Sequence, residues 1–229
     1  MIMSKKQFIV VGTIIFCLIL IVAAIGLSKR DTHKNPFESE ESINNLNVSM
    51  LRNDQLSVFE GSLKDTIIND SIIVLKVVPL EEPKFDFQAT TQKVKVEEIF
   101  KGEGVNVGDE ILITLMSWHY FNEKESMNLF FVNFMKIGDE YMIFIDEKIE
   151  TEIYEDVIYQ IGGFAITPVF NYKNVENKVI ETTLDEPFVK YGEVRDNEFF
   201  CSNEETLAAL KKFKYEMMSQ FDLTVEPFN

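Results

Sequence analysis

An uncharged apolar run of 20 residues occupies positions 8–27, with basic residues on both sides of it. About 20 residues of helix, each rising 1.5 Å, cross a hydrocarbon core of roughly 30 Å. In lipid a single segment must be helical, because a helix satisfies its own backbone groups. The run therefore predicts one transmembrane helix acting as a signal anchor, preceded by a short tail of residues 1–7.

Two other interpretations of residues 8–27 stay open. A cleaved signal peptide needs an apolar region of roughly 7–15 residues and a small-x-small site. Val22-Ala23-Ala24 could supply such a site, but the apolar run is longer and continues beyond it. A lipoprotein signal would use Cys17, yet the bulky Phe16 stands where a small residue is needed. We therefore favour the uncleaved anchor.

The orientation of the anchor is not decided by charge, since basic residues on its two sides nearly balance. Long domains translocate largely regardless of their charge. We expect a single-pass protein of the cell membrane, with a cytoplasmic N-terminus and the body outside.

Polar residues dominate positions 28–56, which predicts a tether. Residues 56–68 then carry apolar side chains at steps of three and four, which predicts a short helix. A C-terminal helix is predicted after Ser202, because Glu205 stands three residues later as in a capping box. The apolar face of that helix comprises Leu207, Leu210, Phe213, Met217 and Phe221.

Between these helices the pattern changes to short apolar or alternating stretches separated by turn signals. The predicted strands are residues 71–80, 90–100, 111–118, 141–145, 157–164, 165–172 and 178–183, with another apolar and aromatic stretch at 127–135. Short strands with turns at such spacing favour an all-β barrel or sandwich. We therefore expect one domain over residues 57–222, mainly β, followed by a tail of residues 223–229.

The net charge of −16 limits the partners of the body. Residues 1–30 hold four basic residues and no acidic one, which leaves 18 basic against 38 acidic residues in the remainder. A nucleic-acid partner is excluded, because neutralising phosphates requires a basic face. Because Cys17 lies inside the apolar run, one Cys and two His remain, too few for a four-ligand Cys/His zinc site, and two Cys cannot form a disulfide framework. We predict no metal and no cofactor.

Four stretches, in this order, resemble the bacterial members of the TIMP/netrin-like (NTR-like) group. They are Ile67-Ile68-Asn69-Asp70-Ser71-Ile72-Ile73-Val74, Val94-Lys95-Val96-Glu97-Glu98-Ile99-Phe100-Lys101-Gly102, Val107-Gly108-Asp109-Glu110-Ile111 and Ile137-Gly138-Asp139-Glu140-Tyr141-Met142-Ile143-Phe144. The resemblance covers somewhat over a third of the chain. It implies an OB-fold β-barrel, flanked here by the two predicted helices, and an exported or anchored location.

The chain departs from the inhibitors of that group, which use an N-terminal Cys and several disulfides. Cys201 is the one Cys outside the apolar run. The resemblance therefore implies a fold and a location rather than metalloprotease inhibition.

The aromatic cluster Trp118-His119-Tyr120-Phe121 is the strongest binding candidate, since it holds the single Trp and the single body His. Such a cluster beside an OB-type barrel can bind sugars or peptides, although core or rim packing is the simpler explanation. An acidic run from Glu147 to Asp156 could attract Ca²⁺, but it lacks EF-hand spacing and reads better as a solvated face.

Neither a nucleotide loop nor a catalytic triad is present in the sequence, so no catalytic residue is assigned. The preferred hypothesis is a non-enzymatic, membrane-tethered module that binds a protein or an envelope component. The alternative is an envelope hydrolase using His119 with acidic residues. A third is a structural subunit whose acidic body is repelled by anionic lipid. Membrane lipid is the partner expected for residues 8–27.

Overall fold

The computed structural model describes residues 19, 20, 22, 39–59, 61–85, 89–115, 118–120, 125–150, 157–162 and 165–224, with only the backbone of 118–120. The chain divides into two units, Met1–Ser42 and Ile43–Asn229. Most of the predicted anchor lies outside the described residues. Of that segment, Ile19, Leu20 and Val22 are helical and exposed. Within the described ranges no helix is long and apolar enough to span a bilayer.

The second unit is mainly β, as the sequence predicts. The helices are α1 (Glu40–Asn44), α2 (Leu63–Asp70), α3 (Tyr191–Val194) and α4 (Glu204–Met218), with a 3-10 helix at Asn53–Phe59. The strands are β1 (Asn47–Ser49), β2 (Ile73–Pro79), β3 (Lys84–Phe85), β4 (Thr90–Lys101), β5 (Glu110–Leu115), β6 (Trp118–Tyr120), β7 (Ser126–Asn128), β8 (Tyr141–Ile145), β9 (Glu147–Ile149), β10 (Ile158–Ile161), β11 (Val169–Asn171) and β12 (Phe188–Lys190).

The larger of two sheets has eight strands in the order β11-β8-β2-β4-β5-β10-β9, with β3 paired to β4. Its pairs are antiparallel except for β5 with β10. The sub-order β8-β2-β4-β5 is that of a Greek key, in which a fourth strand returns beside the first. No pairing of described residues joins β11 to β9, so the sheet is not closed into the expected barrel.

The central strands of this sheet have either alternating apolar and polar residues or apolar residues only, so each strand can bury one or both of its faces. In β4, Val94 and Val96 are buried, whereas Lys93 and Lys95 lie on the other face. All five residues of β8 are buried, and the strand lies inside the sheet, between β2 and β11. The predicted strands at 71–80, 90–100 and 141–145 are therefore confirmed.

The smaller sheet has the order β12-β1-β7-β6. Its strand β1 pairs antiparallel with β12 and parallel with β7. This strand lies inside the predicted tether of residues 28–56, and Leu46, Val48, Met50 and Leu51 around it are buried. The folded unit thus begins earlier in the chain than residue 57.

The predicted helix over residues 56–68 is two elements rather than one. The 3-10 helix ends at Phe59 and α2 begins at Leu63. Gly61, between them, has φ +82°, a conformation that only glycine adopts without strain. This turn separates two apolar stretches that share one helical spacing in the sequence.

Helix α4 begins one residue later than predicted. Asn203 is the N-cap, and its side chain accepts a hydrogen bond from the Thr206 N–H at 3.0 Å. Thr206 Oγ1 in turn accepts one from the Asn203 N–H at 3.3 Å, so this pair replaces the expected Ser202 and Glu205. Among the predicted face residues, Leu207, Leu210, Phe213 and Met217 are buried, whereas Phe221 follows the helix end.

Three other predicted strands differ from the structure. The stretch 111–118 is split, because β5 ends at Leu115 and Trp118 begins β6 of the other sheet. The stretch 165–172 forms a strand only at β11. Residues 178–183 form no strand, although they lie in a segment, 174–183, without helix, turn or bend. We call this segment the strap.

Candidate functional site

The aromatic cluster predicted from the sequence falls on the strand β6. Trp118, His119 and Tyr120 lie opposite Asn128, Met127 and Ser126 of β7, in that order. Their side chains, and the whole of Phe121, lie outside the described part of the chain. Binding at this cluster stays a prediction.

The acidic run beginning at Glu147 is described as far as Glu150. Glu147 lies on β9 and accepts a hydrogen bond from Gln160 at 3.2 Å, while Glu150 pairs with Lys148 at 2.5 Å. Across the residues that the structure describes, no three His, Cys, Asp or Glu side chains are grouped to hold a metal ion.

A polar cavity of about 70 Å³ is enclosed by residues within segments 132–141, 169–175 and 196–198. Ligand pockets have volumes of roughly 300–1,000 Å³, so this one has room for a few water molecules but not for a substrate. Asn133 and Asn197 line it, and their side-chain amides form hydrogen bonds with the surrounding backbone. The hydrogen bonds around the cavity therefore connect its three lining segments.

Asp139 is one of three carboxylates that line this cavity. It accepts hydrogen bonds from the amide of Asn171 at 3.0 Å and from the ammonium of Lys173. Partial burial favours its neutral form, but these bonds and the charge of Lys136 hold the pKa of Asp139 below its ordinary value. Asp139 is thus held as an anion.

Glu198 lies deeper and is paired with Lys214 of α4. Its Oε2 accepts from Lys214 Nζ at 2.7 Å, and its Oε1 accepts from the Asn171 N–H at 2.9 Å. Lys214 also donates to the Lys173 carbonyl oxygen at 3.0 Å. Burial raises the pKa of Glu198 and lowers the pKa of Lys214, while their attraction opposes both shifts. This network fixes α4 to the sheet.

An open groove of about 720 Å³ lies elsewhere on the second unit. Residues within 52–54, 179–184 and 202–204 line it. Its volume is within the range of ligand-binding pockets. Sequence reasoning missed it because its three lining segments are far apart in the chain.

Carboxylates dominate the charged lining of the open groove. Asp54, Glu181 and Glu204 are exposed there, against one cation, Arg52. Arg52 is already engaged, because its Nε and Nη2 donate to the two oxygens of Asp54 at 3.0 Å each. The groove therefore presents negative charge to a ligand.

No known family model matches the chain, and no curated protein is detectably similar to it. Its role must therefore be inferred from its own residues.

Proposed function

We propose that the chain is a non-enzymatic, membrane-tethered protein of the cell envelope whose exported acidic unit binds a protein or another envelope component. The open groove carries this proposal. It offers about 720 Å³ to a ligand, whereas the more enclosed polar cavity offers about 70 Å³ and its polar groups are mostly bonded to one another.

The tether is supported by the apolar run of residues 8–27. It has the length of a bilayer-spanning helix and no charge. A long acidic body after a single N-terminal apolar segment is the usual arrangement of a signal anchor, which gives a cytoplasmic N-terminus and an external body.

An NTR-like OB-fold is part of the same proposal. An OB-fold is a partly open, five-stranded Greek-key barrel. The Greek key of β8, β2, β4 and β5, extended by β10 parallel to β5, has this number and order of strands. The Asp146 N–H donates to the Gln160 carbonyl oxygen at 3.1 Å, which brings the end of β8 beside β10. Both observations support a partly open barrel.

Location is tested with a cysteine at Ser39 in the full chain and an impermeant maleimide on intact cells. Labelling at the full-length mass supports an exported, anchored protein, and labelling at a reduced mass means cleavage and release. Labelling only after lysis would place the body in the cytoplasm and overturn the proposal. The buried Cys201 does not interfere, because burial raises its thiol pKa to about 12.

Binding is tested by photo-crosslinking in intact cells. A photoreactive amino acid replaces Leu184, which lines the open groove and is 74% exposed. The matched control replaces Leu223, which is 91% exposed and does not line the groove. Defined adducts at position 184 and none at 223 support a binding module. The absence of adducts at 184, in a chain shown to be exported, would contradict it.

A further inference from the structure

We propose that the open groove binds an extended peptide segment rich in lysine or arginine, which pairs with the backbone of the strap. The inference rests on the proposed binding function and names its site and its class of partner. Four observations carry it: the course of the chain, the unused backbone groups, the charge and the size of the groove.

Three chain segments run in parallel towards the groove. Leu51 and Cys201 form a parallel bridge, with Leu51 N–H donating to the Phe200 oxygen at 2.8 Å and Ser202 N–H to the Leu51 oxygen at 2.9 Å. On the other side of Cys201, the Ile180 N–H donates to its carbonyl oxygen at 3.3 Å. The strap runs the same way: the Lys178 N–H donates to the side-chain oxygen of Asn197 at 2.9 Å, so that residues 178 and 180 of the strap meet residues 197 and 201 in the same order.

The three segments diverge immediately after these bonds, and the space between them is the groove. Residues 52–54 turn into the 3-10 helix, residues 202–204 enter α4, and the strap continues to a bend at Leu184. In open sheets, ligands bind in crevices where chains separate beyond the carboxyl ends of parallel strands. The groove has the same origin here.

The strap offers backbone groups for pairing. In an extended chain, neighbouring residues turn their N–H and C=O groups to opposite sides. Since Ile180 faces Cys201, Val179 and Glu181 face away, and among the described residues their backbone groups have no hydrogen-bond partner. The side-chain Oγ1 of Thr182, which also lines the groove, is buried and has no hydrogen-bond partner in the described part of the chain. Such an edge accepts an additional strand.

Charge decides what kind of strand fits. Glu181 and Glu204 line the groove from two different segments of the chain, are exposed, and make no ion pair with any described residue. Glu204 is in the first turn of α4. The net charge of −16 also attracts a cationic partner over longer distances. A basic peptide is therefore preferred to an acidic one.

The size of the groove matches a short peptide. Six extended residues span about 20 Å at a rise of roughly 3.3 Å each, which is the length of the stretch 179–184 that supplies one side of the groove. Leu184, exposed at the rim, adds an apolar contact. The favoured segment thus alternates basic and apolar residues over five or six positions.

The experiment measures binding of a nine-residue peptide of alternating Lys and Val to the full chain in neutral detergent micelles, by fluorescence anisotropy. Two further probes are the same peptide with Glu for Lys, and the Lys-Val peptide N-methylated at every second residue to block strand pairing. The test variant is Glu181→Gln/Glu204→Gln. Its matched control is Glu82→Gln/Glu103→Gln, which removes two exposed carboxylates outside the groove.

We expect the Lys-Val peptide to bind the wild-type chain and the control variant alike, and the groove variant about tenfold more weakly. The Glu-Val and N-methylated peptides should bind more weakly than the Lys-Val peptide. An equal loss in both variants would mean attraction by net charge alone and would overturn the inference, as would no binding of the Lys-Val peptide. Neither result would contradict the proposed binding function, because that function is tested independently by crosslinking at Leu184. The proposal of a basic peptide can therefore fail while the proposal of a binding module stands.

Discussion

The carboxylate of Glu198 and the ammonium of Lys214 form an ion pair of 2.7 Å in which the side chains are only 5% and 2% exposed. Each partner makes a further hydrogen bond, Glu198 with the Asn171 N–H and Lys214 with the Lys173 carbonyl oxygen. These hydrogen bonds offset the free energy of removing the two charges from water, which would be large for either charge without its partner.

Removing one partner should therefore be costly. We expect Lys214→Met to lower the free energy of unfolding by about 3–5 kcal/mol, because Glu198 is left buried and unpaired. The double variant Glu198→Gln/Lys214→Met should recover part of that loss. Urea unfolding of the full chain in detergent measures both. Lys212→Met, which alters an exposed residue of the same helix, should stay within about 0.5 kcal/mol of wild type. An equally small effect of Lys214→Met would show that the pair is not enclosed.

Gly102 should tolerate no side chain. Its φ is +95°, and an added Cβ would lie 2.3 Å from the Ile72 carbonyl oxygen and 2.9 Å from Ile73 Cγ1. Gly104 has a similar φ of +91° but open space around it. We expect Gly104→Ala to cost about 1 kcal/mol from backbone strain, and Gly102→Ala at least about 2 kcal/mol more. Thermal or urea unfolding compares the two. Equal costs would mean that the backbone contact at Ile72 is absent.

The Asp139 carboxylate should make stability depend on acid pH. Its folded pKa lies below the ordinary value of 3.8, so its stabilisation is present above about 3.8 and is lost as the pH falls through the lower folded value. The wild-type chain should lose more stability between pH 5 and pH 3 than Asp139→Asn. The control Asp185→Asn, at an exposed position, should follow wild type. Parallel pH profiles of all three chains would contradict the assignment.

Cys201 should be unreactive in the folded chain. Burial raises its thiol pKa to about 12, although a hydrogen bond with Thr206 opposes this, and maleimides react with the thiolate. In a Cys17→Ser background we expect modification only as fast as the protein unfolds, and rapid modification in concentrated urea. Cysteine at the exposed Ser39 should react quickly in both conditions. Rapid labelling of Cys201 in native buffer would show that the thiol is accessible.

The strands of the larger sheet could be predicted because their signal is local. Val94 and Val96 alternate with lysines, and β8 is a continuous apolar run, so each pattern identifies its own strand. The smaller sheet could not be predicted in this way. Its strand β1 is three residues within a polar stretch, and it is stabilised by β12 and β7, which come much later in the chain.

The site features were harder to predict for the same reason. Nothing in the sequence distinguishes Glu198 or Lys214 from the many exposed charged residues, because their burial depends on packing between α4 and the sheet. Residues 178–183 of the strap have the composition of a strand, but the strap makes only one backbone hydrogen bond to its neighbour, Cys201. The residue types of the strap favour an extended chain, but a strand also requires a neighbouring strand, and the local sequence does not show whether one is present.

The position of β1 also sets the order in which the chain can fold. Its antiparallel neighbour β12 ends at Lys190, so β1 cannot acquire that neighbour until the chain has emerged from the ribosome as far as residue 190. Pairing over so long a sequence separation slows folding. The smaller sheet consequently stays incomplete on the emerging polypeptide even after every strand of the larger sheet, the last of which ends at Asn171, has left the ribosome.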